Sequence, residues 1–386
     1  MSSSYALDEE LIEQYTDQWK WNRLQHNEAL PWSAALLERY ADKWTWPVLC
    51  QNEALPWSAD LIERYADRWK YGTADLSGNE ALPWSQKLIR RFVDIWNWHF
   101  LSANEALPWS EEIIEAFIEQ WDWDRLSGNE ALPWSEDLIE RYAGKWSWLN
   151  LSTNEALPWS RDLVEQYNSK WEWGYPRGLS TNEALPWTEK LIRRYSRKWG
   201  VMRWSGLSGN RALPWSRKLI EDYSEKWDWK RLSANEGLPW SKELVDAFVE
   251  KWNWDQLSGN EALPWCEELI ERYAEQWKWS ALSRNESLPW SKELIERHED
   301  RWHWVAMSSN EASFWTSNLI QCFADRWLWG SEGLTVNQSL PWSVKLIDKY
   351  AERWNWEWLP NNPEVWNSAF SDDVSPDMIR QVFKAI

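Results

Sequence analysis

Apolar residues recur along the chain in one arrangement, repeated many times. In Ser33–Trp44, Leu36, Leu37, Tyr40 and Trp44 share one face at helical spacing, and polar residues fill the positions between them. This spacing predicts a helix of about 11–12 residues. Fourteen such helices follow in turn, from Asp8–Trp19 to Ser343–Trp354. The residue that opens each helix is Ser or Thr in twelve copies, Asp8 in the first and Cys266 in one. A side-chain oxygen there accepts from the free N–H groups of the first turn. Trp32 and Leu37 have the spacing of a hydrophobic staple. Acidic pairs such as Glu111–Glu112 and Glu136–Asp137 begin helices, and Lys or Arg precedes the last-turn Trp in ten of fourteen copies. Both biases suit the helix dipole.

The full unit reads LSxNEALPWSxxLIERYxxKWxW. Its Asn recurs as Asn27, Asn52, Asn79, Asn104, Asn129, Asn154, Asn182, Asn210, Asn235, Asn260, Asn285, Asn310 and Asn337, with a base period of 25 residues. Four units carry two or three extra residues, at Tyr71–Asp75, Gly174–Gly178, Gly200–Gly206 and Gly330–Gly333. All four insertions read as lying between the WxW and the next Leu-Ser, which marks a surface loop. The segment after each long helix is compatible with a short second helix or a 3₁₀ turn, and the Pro sets the entry to the next helix. No helix of this kind buries its stripe alone, so the units must stack. The expected fold is all-α, a single elongated α-solenoid of about 14 repeats. Residues 1–22 read as an N-terminal cap, 23–359 as the tandem repeats and 360–386 as a C-terminal cap. That last cap ends in a helix over Asp377–Ala385, introduced by Ser375-Pro376.

The chain holds 42 Trp among 386 residues. Thirty-nine lie at fixed phase: 13 in the slot after the Pro (Phe314 takes the Pro's place before Trp315), 14 at the helix end and 12 as the second Trp of WxW. Large flat rings at fixed phase are expected to fill the space between thin layers. Trp204 falls inside an insertion, off the repeat phase, and is expected at the surface; Trp358 and Trp366 complete the set. A 44% hydrophobic fraction argues against intrinsic disorder. The mean hydropathy of -0.72 is depressed by a scale that scores Trp and Tyr as mildly polar. No stretch is long and apolar enough to span a membrane. The acidic start MSSSYALDEELIEQY lacks a secretory h-region, and Cys50, Cys266 and Cys322 are scattered, which together suggest a cytoplasmic protein. The net charge of -19 is expected to repel nucleic acid and anionic membranes.

Thirteen copies of one Asn suit a structural ladder, each amide bonding loop backbone, better than a catalytic site. His26, His99, His298 and His303 sit at unrelated phases, and no G-x-S-x-G, Gly-rich phosphate loop or C-x-x-C occurs. The chain therefore reads as a non-enzyme without metal or cofactor. Departure from the consensus is greatest over residues 189–231, which carry a charge of +7 while the rest of the chain is at -26. The candidate ligand-binding residues there are Arg193, Arg194, Arg197, Lys198, Arg203, Trp204, Arg211 and Lys218. Arginine forks beside a flat ring suit an anionic group such as a nucleotide phosphate. The plainer reading is a solvated charged face.

Units of the form LSxNxxLPWSxxLIxxYxxxWxW resemble the Trp-rich tandem repeats of uncharacterised bacterial proteins. More loosely, they are similar to the "WDWxxLSxNPNIT" repeats of large DNA viruses. The resemblance covers roughly residues 5–359 and implies an intracellular bacterial or viral setting, with no activity or functional residue to carry over. The leading expectation is a non-catalytic scaffold binding a protein or peptide along a long curved face. Behind it stand a receptor for an anionic small ligand at 189–231, carbohydrate binding through exposed indoles, and nucleic-acid mimicry by the acidic surface.

Overall fold

The computed structural model describes residues 9–69, 76–174, 176–199 and 201–369. The side chains of Leu11, Val201, Met202, Arg203 and Ala369 fall outside this description, as does the expected helix Asp377–Ala385. Among the described residues the chain is all helical and contains no strand. It forms a solenoid-like series of repeats and divides into two compact units. One is Met1–Trp187 with Arg197–Trp199; the other is Thr188–Ser196 with Gly200–Ile386.

Each repeat begins with a six-residue helix, and fourteen of these occur among the described residues, from Glu9–Gln14 to Val344–Lys349. Ser135 typifies their start: extended at φ −145°, it accepts at Oγ from the Leu138 N–H at 3.1 Å. Cys266 makes no such bond. The helices are half the length that the apolar spacing predicts, because the chain leaves helical geometry at the Tyr or Phe. Tyr142 has φ −113° and ψ 23°, and a separate turn carries the chain on to Trp146. The break is followed by a last-turn Trp whose indole N–H bonds back in seven repeats and has no partner in others, Trp146 among them. In seven-residue helical spacing that Trp would lie about 10 Å along the axis from the buried Ile. With the chain turned back, the indole N–H of Trp121 reaches the Ile114 carbonyl at 3.1 Å. Trp96, Trp227, Trp252, Trp277, Trp302 and Trp354 do the same. Each indole thus satisfies a carbonyl at the end of its own helix.

The second element is a short helix of four to six residues in regular units, such as Trp123–Gly128. It shrinks to a 3₁₀ turn in Leu76–Gly78, Leu179–Thr181 and Leu359–Asn361. The core lies between the two elements. Leu132, Leu138, Ile139, Trp146 and Leu151 are all at most 5% exposed, and the pattern recurs in the other repeats.

Two polar ladders run through this core. Asn129, 2% exposed, donates from Nδ2 to Ser102 O at 3.1 Å and Asn104 O at 3.3 Å, both in the preceding repeat. Its Oδ1 accepts from the Ala131 N–H at 2.9 Å. Asn104, Asn154, Asn235, Asn260, Asn285, Asn310 and Asn337 repeat the arrangement. The second ladder uses the Ser of Leu-Ser. Ser127 is fully buried, donates to Trp123 O at 2.5 Å, and accepts from the Ser147 N–H of the next repeat at 2.9 Å. At the first junction Gln25 stands in for this Ser, accepting from the Thr45 N–H at 2.9 Å.

The repeat geometry continues past residue 359. Asn362 donates to Thr335 O and Asn337 O, each at 3.1 Å, and Val365 is 2% exposed where other repeats bury Leu. The C-terminal segment expected to be a separate cap therefore begins as another repeat loop.

Candidate functional site

The three Trp positions differ in exposure. The helix-end rings are buried, as with Trp121, Trp146 and Trp252. The ring after the Pro, expected in the core, is half-buried in most repeats, including Trp84, Trp109, Trp134 and Trp159; only Trp187, Trp315 and Trp342 are buried. Its edge is held by the helix-end ring, with Trp134 5.0 Å from Trp146, and by its N–H, which donates to Asn129 O at 3.0 Å. The second Trp of WxW packs on the next repeat. Trp123 lies 5.2 Å from Tyr142 and 4.8 Å from Trp146.

Trp204 is not a surface contact. It is 3% exposed, 5.0 Å from Tyr223 and 4.8 Å edge-on to Trp227, which is the environment of Trp123. Ser208 donates to Trp204 O at 2.7 Å, as Ser127 does to Trp123 O. Counted back from Leu207-Ser208, Trp204 is in phase. The insertion precedes it, between Trp199 and Trp204, and extends the short helix to Val201–Gly209.

The remaining members of the 189–231 patch fall on different rows. Lys198 donates from Nζ to the Asn168 carbonyl and lies 4.9 Å from the Trp173 ring centroid. Arg211 pairs with Glu236 at 2.9 Å, and Arg194 lies 5.9 Å from the Tyr195 centroid. Arg193, Arg197 and Lys218 are exposed, and the Arg203 side chain is outside the described residues. Arg193 and Arg194 belong to one compact unit, Arg197 and Lys198 to the other.

The cation before the helix-end Trp does more than face the helix dipole. Arg68 sits 5.2 Å from the Trp46 centroid in the preceding repeat and pairs with Asp42 at 3.3 Å. Arg301 and Arg353 sit over Trp279 and Trp329 in the same way. A parallel row joins helix to helix: Arg64–Glu38, Arg141–Glu115, Arg272–Asp246 and Arg297–Glu271. The Tyr273 hydroxyl, then Arg272, hold the Asp246 carboxyl below its usual range, and Arg297 and His298 do so for Glu271.

On the loop edge the charges are one-sided. Glu80, Glu105, Glu130 and Glu155 in one unit, and Glu261, Glu286 and Glu311 in the other, are exposed and have no ion pair among the described residues. Glu130 and Glu155 accept the N–H of Glu155 and Glu183 at 3.3 and 3.2 Å. Each of these acids directly follows the Asn whose carbonyl anchors an indole, half-buried in every case but Trp315. The sequence carries a Glu at this place in eleven of thirteen units, Arg211 and Gln338 being the exceptions, and the lack of an ion pair among the described residues distinguishes these seven from the paired rows.

Among the described residues no group of three or more His, Cys, Asp or Glu is placed to hold a metal ion. No helix among them is long and apolar enough to cross a membrane. Comparison with protein-family models, with curated proteins and with solved structures finds no match for this chain.

Proposed function

We propose that the protein is a non-catalytic repeat scaffold that binds a basic, extended polypeptide along its loop edge. One observation carries this reading: in seven repeats the loop edge presents an exposed carboxylate with no ion pair among the described residues, while the late-helix row is paired across repeats. Half-buried indoles beside the carboxylates, such as Trp109 and Trp134, supply apolar and cation-accepting surface. Helix layers pack about 8–10 Å apart, and a polyproline II peptide rises about 3.1 Å per residue with every third side chain on one face. A ligand in register therefore carries a Lys or Arg at every third residue. An anion receptor centred on 189–231 is the second reading; Arg193 and Lys218 remain exposed for it, while Trp204 is taken by the core.

The test is fluorescence anisotropy with two labelled peptides of one composition, with Lys at every third or every second residue. The third-residue peptide is expected to bind more tightly, with affinity falling as salt rises. A Glu105→Gln, Glu130→Gln, Glu155→Gln triple variant keeps the backbone bonds and removes three exposed charges. At about 0.5 kcal/mol each, it should bind roughly tenfold more weakly. Equal binding of both peptides, or an unaffected triple variant, refutes the reading.

A further inference from the structure

The helices Ser317–Cys322 and Val344–Lys349 stand side by side in consecutive repeats, and a cavity of about 260 Å³ opens between them. Its lining departs from the charge plan of the other helix pairs. Elsewhere the late-helix Arg meets an acid of the preceding repeat, as Arg272 meets Asp246 and Arg297 meets Glu271. Here Gln321 stands in the acid's place, and Lys349 donates to Gln321 Oε1 at 2.7 Å. Lys345 occupies a first-turn position that holds Glu268 in Glu267–Arg272, Glu293 in Lys292–Arg297 and Asn318 in Ser317–Cys322. No Asp or Glu lines the cavity, and neither lysine has an ion pair among the described residues.

A second observation is a buried hydroxyl without a partner beside the cavity, a state it shares with the Tyr65 hydroxyl. The Tyr273 hydroxyl donates to Asp246, the acid of the preceding repeat. Tyr350 is at the same place in its repeat, but with Gln321 opposite and its amide oxygen taken by Lys349. The Tyr350 side chain lines the cavity and is 9% exposed, and its hydroxyl, shielded from solvent, has no hydrogen-bond partner. A shielded hydroxyl without a partner is costly. A neutral late-helix residue in the acid's place and two lysines without an ion pair among the described residues, one of them bonded to Gln321 and set 5.3 Å from the Tyr350 ring centroid, line one cavity with the buried Tyr350 hydroxyl behind that ring.

We propose that this cavity binds the phosphate group of a small phosphomonoester. Two lysines match the charge of about −1.5 to −2 on such a group near neutral pH. The Tyr350 hydroxyl, the Asn318 and Gln321 amides and the Ser317 hydroxyl supply neutral donors for its three acceptor oxygens, more than a carboxylate accepts. The volume lies just under the usual 300–1,000 Å³ of small-molecule sites, which suits a phosphate with a compact body such as a pentose. The site is independent of the loop-edge reading.

The experiment is calorimetric titration of the full chain with inorganic phosphate, ribose 5-phosphate and succinate, at constant ionic strength set with chloride. Saturable binding of ribose 5-phosphate and phosphate, with succinate at least tenfold weaker, supports the site. Lys345→Ala and Lys349→Ala should each weaken ribose 5-phosphate about tenfold or more. Tyr350→Phe should weaken it about threefold to tenfold at unchanged melting temperature, since the hydroxyl it removes is unbonded in the free protein. Lys218→Ala, on an exposed helix outside the cavity, should leave binding unchanged. No saturable binding of either phosphate compound, succinate binding as well, or binding indifferent to Lys345→Ala and Tyr350→Phe overturns the proposal.

Discussion

Replacing Asn129 with Ala removes a carboxamide that is 2% exposed and makes three bonds, two to the preceding repeat and one within its own loop. Its Nδ2 group serves two carbonyls of the preceding repeat, Ser102 O at 3.1 Å and Asn104 O at 3.3 Å. Asn104 O also accepts the indole N–H of Trp109 at 3.0 Å and keeps a partner after the substitution. The lasting losses are the Ser102 carbonyl and the Ala131 N–H, which Oδ1 held at 2.9 Å. A buried polar group left unsatisfied costs about 1–3 kcal/mol, so two such groups put Asn129→Ala at roughly 2–4 kcal/mol once partial hydration of the loop is allowed. Repeat stability is the sum of unit terms and nearest-neighbour terms, and this loss falls on the neighbour term. The assay is urea denaturation together with native-state hydrogen exchange read at the Ala131 amide. Exchange should speed up at Ala131 and at amides of the adjoining repeats more than in distant ones. Glu130→Ala, one residue away and exposed, is the control and should stay within about 0.5 kcal/mol. A loss below about 0.5 kcal/mol for Asn129→Ala, with unchanged Ala131 protection, would refute the ladder as a source of cohesion.

Trp204→Ala should cost about 3–5 kcal/mol by chemical denaturation, matching Trp146→Ala, because both rings are buried between repeats. Ser127→Ala leaves the Ser147 N–H without its acceptor and should cost about 1–3 kcal/mol, read by the same method. Asp246 has a folded-state pKa held below its unfolded value by Tyr273 and Arg272. Its contribution is therefore present above the ordinary carboxylate range and lost as pH falls through the folded value. Tyr273→Phe should flatten the stability profile at the acid end, below the ordinary Asp value of about 4, and an unchanged profile would show that the pair contributes nothing.

The repeat period, the helix starts and the apolar stripe were legible in the residue order, because amphipathic spacing and N-capping are local properties. Leu138, Ile139 and Trp146 are core and Ser135 is a cap for reasons visible within twelve residues of sequence. Asn129 was legible as structural because one amide repeated in every loop suits no single reaction centre. Helix length was not legible. The chain turns at Phe117 and at Tyr142 alike, although the Trp121 indole bonds back to its helix and the Trp146 indole has no partner. The buried role of Ser127 was hidden because its acceptor function is met only by the next repeat, 20 residues on. Trp204 misled because phase counted forward from Trp199 crosses an insertion, whereas packing registers the ring on Leu207-Ser208 and on Trp227. The Tyr350 cavity needed both helices in place, since an orphaned hydroxyl is defined by what the facing helix fails to offer. Local signals set where elements start and which face is apolar; stacking alone decides which donor meets which acceptor across a 25-residue step.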